Sequence, residues 1–292
     1  MPLMKKASGS LMLLLTSLIW GTAFVAQRTG MDHVGPFTFQ VARGFLGALS
    51  LLPVILWQKR SQGEQFRAPS LKACLCCGAA LTLGSTTQQI GLVSTSAGKA
   101  GFIGALYVVF VPLISLFFGK RAGRKIWLSV LLAVAGMFLI SGLGLTQMTV
   151  QAGDLWLLVS AVFYAVHILV VARFAPGVNG AALSCAQFLV MALIMLVPAL
   201  LEKPTIAGIL DAKWAILYTG ILSSGVGYTL QIIGQMRVPS TVASLIMSLE
   251  SVFALLSGML LLGERLTRGE WIGCMLVLGA VVLSQLPGKR KE

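Results

Sequence analysis

The chain has 292 residues, 57% of them hydrophobic and 11% charged, with mean hydropathy +0.90 and a net charge of +13. A soluble domain carries about 25% charged residues, so this composition excludes a water-soluble enzyme or binding domain and defines an integral membrane protein. The basic residues lie in short clusters between apolar runs, a pattern that sets membrane topology and lacks the basic face on a soluble fold that nucleic-acid binding requires.

Apolar segments long enough to span a bilayer recur ten times, near residues 10–26, 36–57, 71–92, 98–118, 126–143, 153–172, 181–201, 214–235, 240–262 and 270–286. Their periodicity is helical and lacks the ten-residue alternation of a membrane barrel. The connections are short, so neighbouring helices are expected as antiparallel hairpins. Lys5 and Lys6 followed by an apolar run imitate a signal peptide, but no small-x-small cleavage site follows, which predicts a retained first helix. With the N-terminus in the cytoplasm, the inner connections of the first five spans hold ten basic residues, from Lys5 to Lys125, against Arg28 alone outside. The second five spans are nearly unbiased. The positive-inside rule therefore predicts an inner-membrane, multi-pass protein with both termini cytoplasmic.

A weak internal repeat is legible at an offset of 144 residues: Gly9, Leu11, Leu13 and Leu14 match Gly153, Leu155, Leu157 and Leu158, Trp20 matches Tyr164, Ser96 matches Ser240, and Gly119, Arg121 and Trp127 match Gly263, Arg265 and Trp271. Each copy holds an odd number of spans, which forces the second to insert upside down. Inverted repeats with a midplane site recur among transporters. The expected fold is all-α, with ten transmembrane helices as two inverted five-helix repeats, 1–145 and 146–292, around a central cavity.

The ninth segment, Ser240 to Leu266, opens on Pro239 and Ser240, closes on Gly263-Glu264-Arg265 and carries a lone carboxylate, Glu250, near its middle. A charge at that depth costs roughly 3 kcal/mol on insertion scales, so it should face the bundle interior or a wet cavity. Glu250 would bind a cationic substrate group, carry a proton, or pair with Lys99 or Arg43. Lys99 sits at the start of the fourth span, where it would meet a carboxylate or phosphate beside exposed backbone N–H groups or snorkel to the outer interface. Arg43, with Gln40 one turn before it, has no neutral form and needs a partner. That partner would be helix-end carbonyls, a loop carboxylate or substrate. Trp20, Gln88, Gln89, Tyr107, Tyr164, His167, Tyr228, Gln231 and Gln235 complete the polar and aromatic set inside the spans, with Tyr164/His167 and Tyr228/Gln231 each sharing a helix face. Any one of them is equally read as an interface anchor or a packing residue. His167 is a candidate proton relay.

Small residues Ala97, Gly101 and Ala105, and Gly220 with Ser224, predict tight helix contacts. Gly225 and Gly227 are expected to loosen the eighth span, and Pro53, Pro112 and Pro198 to kink theirs. Of the five cysteines, Cys74, Cys76 and Cys77 have no nearby histidine and read as apolar thiols. No H-E-x-x-H, no G-x-S-x-G and no close pair of membrane carboxylates is present. The expectation is no enzyme, no cofactor and no metal.

The segments Leu249-Glu250-Ser251-Val252-Phe253, Leu262-Gly263-Glu264-Arg265-Leu266-Thr267 and Trp271-Ile272-Gly273 resemble the closing motif of EamA-type members of the drug/metabolite transporter superfamily. Thr95-Ser96-Ala97-Gly98-Lys99-Ala100-Gly101-Phe102 with Leu106-Tyr107-Val108-Val109-Phe110-Val111-Pro112 resembles the matching first-half segment. Many relatives carry proline after the glutamate; this chain carries Ser251. The resemblance covers nearly the whole chain and implies two five-helix inverted repeats, a central cavity and movement of small metabolites. The reading is a secondary-active carrier for an amino-acid-like, amine or organic-acid substrate, by alternating access, as monomer or homodimer, with a proton as candidate coupling ion. A channel-like facilitator is the alternative. The substrate-binding candidates are Lys99, Glu250, Tyr107, Trp20, Tyr164, Gln231, Tyr228, Gln88, His167 and Arg43.

Overall fold

The structure, a computed structural model, describes residues 2–95, 97–141, 151–262 and 266–286, with side chains placed at all of these except 2, 3, 97–99, 258, 261 and 262. The helices are α1 (Pro2–Met31), α2 (Pro36–Gln62), α3 (Leu71–Ser94), α4 (Ala97–Gly104), α5 (Tyr107–Phe117), α6 (Arg124–Ile140), α7 (Ala152–Phe174), α8 (Gly180–Leu201), α9 (Ile206–Asp211), α10 (Lys213–Leu217), α11 (Tyr228–Gln235), α12 (Ser240–Met247), α13 (Glu250–Leu262) and α14 (Arg268–Gln285). No strand occurs among the described residues. Seven helices are long and apolar enough to cross a membrane: Met4–Met31, Pro36–Gln65, Ala100–Phe117, Ala152–Phe174, Gly180–Leu201, Lys213–Gln235 and Ser240–Ser257. The other three expected segments fold as α3, α6 and α14. Leu49, Leu131, Leu193 and Leu260 are among many large apolar side chains left exposed on the outside of the bundle, where lipid rather than water is their natural neighbour. The expected closing residues Gly263, Glu264 and Arg265, Ser96 of the repeat, and the 145/146 boundary lie outside the described residues.

Local sequence explains where helices begin. Ser70 accepts from the Ala73 N–H at 3.3 Å, and Asn179 accepts from the Ala182 N–H at 3.0 Å, each satisfying an orphan donor at a helix start. At α2 the carboxylate comes from a distant turn. Glu202 accepts from the Phe37 N–H (3.0 Å), the Thr38 N–H (2.8 Å) and the Thr38 hydroxyl (2.6 Å). Gly35 is needed beside it, because a Cβ there would lie 2.3 Å from the Glu202 carboxylate.

Helix pairs cross closely where glycines meet. Gly9 of α1 faces Gly234 of α11, Gly153 of α7 faces Gly91 of α3, and Gly136 of α6 faces Gly273 of α14, each with its missing Cβ directed at the partner's backbone carbonyl. α2 lies along α8. Without side chains in the way, backbones approach and dispersion contacts accumulate, which is what holds helices together where no water is expelled. Gly101 departs from this expectation: a Cβ there would meet nothing within 4 Å. Its carbonyl instead accepts from the Ser251 hydroxyl at 3.3 Å.

The eighth segment is more unusual than expected. Between α10 and α11, Tyr218–Gly227 is a π-helix of ten residues, not a loosened α-helix. Wide π turns mark strained sites that tertiary contacts must hold. Here Gly220 abuts Leu46, Ser224 abuts Gly47, Gly225 abuts Ser50 and Gly227 abuts Trp20, with no room for a further carbon at any of these glycines. Pro53, Pro112 and Pro198 lie inside α2, α5 and α8.

The fourth and ninth segments are each broken near mid-span, α4 from α5 at Gly104–Tyr107 and α12 from α13 at Met247–Glu250. Both breaks have the same bonding. The Ala105 and Ser248 N–H groups bond four residues back, those of Leu106 and Leu249 three back, and those of Val108 and Ser251 three back again. The break forms at Ser251 without the proline that relatives carry. Tyr107 and Glu250 are thus the first residues of two half-helices. They are 143 residues apart, so the offset of 144 read from the sequence is not constant: it loses one residue across this part of the chain.

Candidate functional site

The two broken helices meet α1, α2, α3, α7, the π segment and α11 around one cavity of about 40 Å³. Its walls carry Trp20, Phe24, Gln27, Arg43, Gln88, Tyr107, Tyr164, Ile168, Ser223, Tyr228, Gln231 and Glu250. Eight of the ten sequence-derived candidates are therefore brought together: Trp20, Arg43, Gln88, Tyr107, Tyr164, Tyr228, Gln231 and Glu250. Gln27, Ser223, Phe24 and Ile168 were not anticipated. Gln27 lies one residue beyond the expected first span, 10–26, and was passed over for that reason; the other three carry no sequence signal that separates them from packing residues.

Each charged group is held by neutral partners. Glu250, 7% exposed, accepts from the Tyr107 hydroxyl at 2.9 Å. Arg43, 3% exposed, donates from Nη1 to Gln27 Oε1 at 3.1 Å and from Nε to Ser224 Oγ at 3.3 Å. Neither the helix-end carbonyls nor the loop carboxylate expected for Arg43 is its partner. Two amide or hydroxyl bonds orient a guanidinium but leave its charge uncompensated. The cavity thus presents a fixed cation and a carboxylate among three tyrosines, a tryptophan and three glutamines.

Aromatic residues define the walls by sitting in glycine notches. Trp20 lies against Gly227, with Nε1 donating to the Ser223 carbonyl at 3.4 Å, and a Cβ on Gly227 would come 2.9 Å from that nitrogen. Tyr164 lies against Gly84, where a Cβ would come 3.2 Å from its ring, and its hydroxyl donates to Gln88 Oε1 at 3.1 Å. Tyr228 packs with its ring tilted against Trp20 at 4.6 Å and edge-to-face against Phe188 at 5.0 Å between centroids.

One candidate falls elsewhere. His167 does not line the cavity. It is fully buried behind Tyr228, 6.0 Å away between ring centroids, with Nε2 hydrogen-bonded to Gln187 Oε1 at 3.0 Å. Sequence spacing placed His167 and Tyr164 on one face, but three residues turn a helix by about 300°, enough to send His167 toward α8. Lys99 is in α4, and its side chain lies outside the described residues, so its pairing with Glu250 does too. Gln89 turns away to Met31 Sδ at 3.0 Å, and Gln235 donates to the Ile168 carbonyl at 3.3 Å.

An apolar exterior around a polar, charged interior defines a multi-pass membrane protein. The sequence profile of the EamA-like transporter family matches residues 7–142 and again 151–286. The chain belongs to this family, within the drug/metabolite transporter superfamily, and is a membrane transporter. It is 31% identical to an uncharacterized transporter of Archaeoglobus fulgidus over 97% of this chain and 87% of that one. It is 30% identical to the threonine/homoserine exporter RhtA of Salmonella typhimurium over 84% of this chain and 80% of the relative. One crystal structure superposes with a TM-score of 0.82 at 19% identity, covering 98% of each chain, a likeness of fold.

Proposed function

We propose that the protein is a carrier for a small zwitterion, an α-amino acid with a short polar side chain, moved across the inner or plasma membrane by alternating access. The observation that carries this reading is the placement of Arg43 and Glu250 on one cavity, each held by neutral groups. A substrate carboxylate would take the free donors of Arg43, and an ammonium would take Glu250. Threonine and homoserine, named for the RhtA relative, have this chemistry.

Ten spans in two inverted halves, 1–145 and 146–292, suit the internal correspondences. The Gly9–Gly234 contact of α1 with α11 mirrors the Gly153–Gly91 contact of α7 with α3. Thr16 bonds the Gly227 carbonyl at 3.1 Å as Ser160 bonds that of Gly84 at 2.8 Å. Trp20 and Tyr164, Phe24 and Ile168, Gln88 and Gln231, and Tyr107 and Glu250 occupy corresponding positions in the two halves, and all eight line the cavity. Lys6 Nζ donates to the Gln285 carbonyl at 3.3 Å, which supports a reading with both termini on one face, and the lysines and arginines near that end support its being the cytoplasmic one. The cavity of about 40 Å³ has room for a few waters, at about 15 Å³ each, which supports entry of substrate by movement of helices, as in a carrier.

The test is a thermal-shift titration of purified protein with L-threonine and L-homoserine, then counterflow in liposomes. Stabilisation by the zwitterions, lost in Arg43→Gln and in Glu250→Gln and absent for the deaminated and decarboxylated analogues, is expected. Equal stabilisation by either analogue overturns the zwitterion reading.

Glu250 is also the candidate for coupling to a proton. If Glu250 serves that role instead of holding the ammonium, Glu250→Gln keeps zwitterion binding and loses accumulation driven by a pH gradient; accumulation at the parent rate excludes that role.

A further inference from the structure

We propose that a hydrated polar seam runs from the central cavity between α7, α8 and α11 to a second pocket at the end bearing both termini, and that this seam is the track along which water and polar solute reach the cavity from that side. The seam is marked by buried polar atoms that lack a hydrogen-bond partner among the described residues: His167 Nδ1, Ser184 Oγ, Gln187 Nε2, Gln231 Oε1 and Gln235 Oε1. Their residues are between 0% and 5% exposed. A buried donor or acceptor left unsatisfied costs about 1–3 kcal/mol. Five such atoms along one path are far more than packing alone tolerates. Buried water that makes two to four bonds to such groups is the usual resolution.

These groups lie at successive levels of the helices. Gln231 lines the central cavity. His167 stands behind Tyr228 of the same wall and bonds Gln187 at 3.0 Å. Ser184 is one turn below Gln187 on α8, and Gln235 is one turn below Gln231 on α11 and bonds the Ile168 carbonyl. One turn beyond Ser184, Gly180 and Ala181 of α8 line a pocket of about 260 Å³, together with Ile233 and Met236 on either side of Gln235. Its rim is polar, with Gln58, Gln62, Arg67 and Asn179. Asn179 there donates to Gln58 Oε1 at 2.8 Å, and the neighbouring Arg237 donates to Ser8 of α1 at 2.7 Å. One turn is about 5.4 Å, so the interval between seam and pocket is a single turn. Ser184 and Gln187 of α8 stand 144 residues after Gln40 and Arg43 of α2. Gln40 also has both side-chain polar atoms buried without a partner, so the corresponding helix of the other half is polar on its own side of the cavity.

The seam concerns access and is independent of what the cavity binds. Two probes test it. In the first, the five cysteines are replaced by alanine and Ser184→Cys is compared with Ser129→Cys, both on purified, folded protein in lipid nanodiscs. Ser184 and Ser129 are both 0% exposed, but the Ser129 hydroxyl is satisfied by the Lys125 carbonyl at 3.0 Å. A small charged methanethiosulfonate reagent is expected to modify Ser184→Cys at least an order of magnitude faster. The second probe needs no substitution. Hydroxyl radicals generated from bound water are expected to oxidise His167 while sparing Met137, which is equally buried at 0% exposure in the apolar core. Either result above its control supports the seam; modification of both positions at control levels overturns it.

Discussion

At the scale of single residues, Tyr107 and Glu250 show how a membrane carboxylate is tolerated. The tyrosine hydroxyl at 2.9 Å is the hydrogen bond that replaces water for that carboxylate, and a bond to a charged group is worth about 1.5–3 kcal/mol. Tyr107→Phe is expected to lower the thermal midpoint of the purified protein, and Glu250→Gln to lower it less. The double variant should be more stable than the two losses added together predict, a coupling of about 0.5–3 kcal/mol. Additive losses in that cycle would show that the two side chains do not stabilise one another. Glu202 offers a second case, away from the cavity. It satisfies the Phe37 and Thr38 N–H groups and the Thr38 hydroxyl at the start of α2. Glu202→Ala should therefore destabilise the fold by about 1–3 kcal/mol, measured by thermal unfolding, with substrate specificity unchanged.

At the scale of elements, the cavity depends on helices that give up regular bonding. The π segment exists because α1 and α2 press on it through Trp20, Leu46, Gly47 and Ser50. Adding one carbon tests this directly. Gly47→Ala would place Cβ 2.8 Å from Ser224 Cβ and 3.1 Å from the Gly220 carbonyl. It should destabilise by about 1–3 kcal/mol, the usual range for overpacking, and shift Ser224 away from Arg43. Gly227→Ala would instead drive Trp20 from its notch, so its expected signature is weakened ligand binding out of proportion to any change in unfolding temperature. The half-helices follow similar logic. Their first residues, Tyr107 and Glu250, line the cavity, and the sequence signal was only a carboxylate and a tyrosine in apolar surroundings. No proline announces the second break; the three-back bonds of Leu249 and Ser251 do.

At the scale of the whole molecule, residues that correspond between the two family matches line one cavity, and the departures from correspondence make that cavity asymmetric. Trp20 answers Tyr164 and Gln88 answers Gln231, but Arg43 answers Gln187, and Tyr107 answers Glu250. The charge is therefore distributed unevenly in a cavity whose walls are otherwise paired. A ligand with two unlike ends would lie across it in one orientation. Reporter fusions at the two termini are expected on the same membrane face, as the Lys6–Gln285 contact requires. Fusions reporting opposite faces would contradict that contact and the proposed ten spans.

Hydropathy made the membrane class legible, because burying a span's backbone in lipid demands a helix and a helix demands about twenty apolar residues. The same burden made the site candidates legible: a polar group inside a span is expensive and stands out, so Glu250, Arg43, Tyr107 and the glutamines could be named from the chain alone. The sequence could not say which way each of them turns. His167 and Tyr164 share a helix but serve different surroundings, Gly101 has space where tight contact was expected, and Ser223 carries no signal at all. Those outcomes depend on helix rotation and on which backbones meet at glycines, and both are set by contacts between segments far apart in the chain that no single segment encodes.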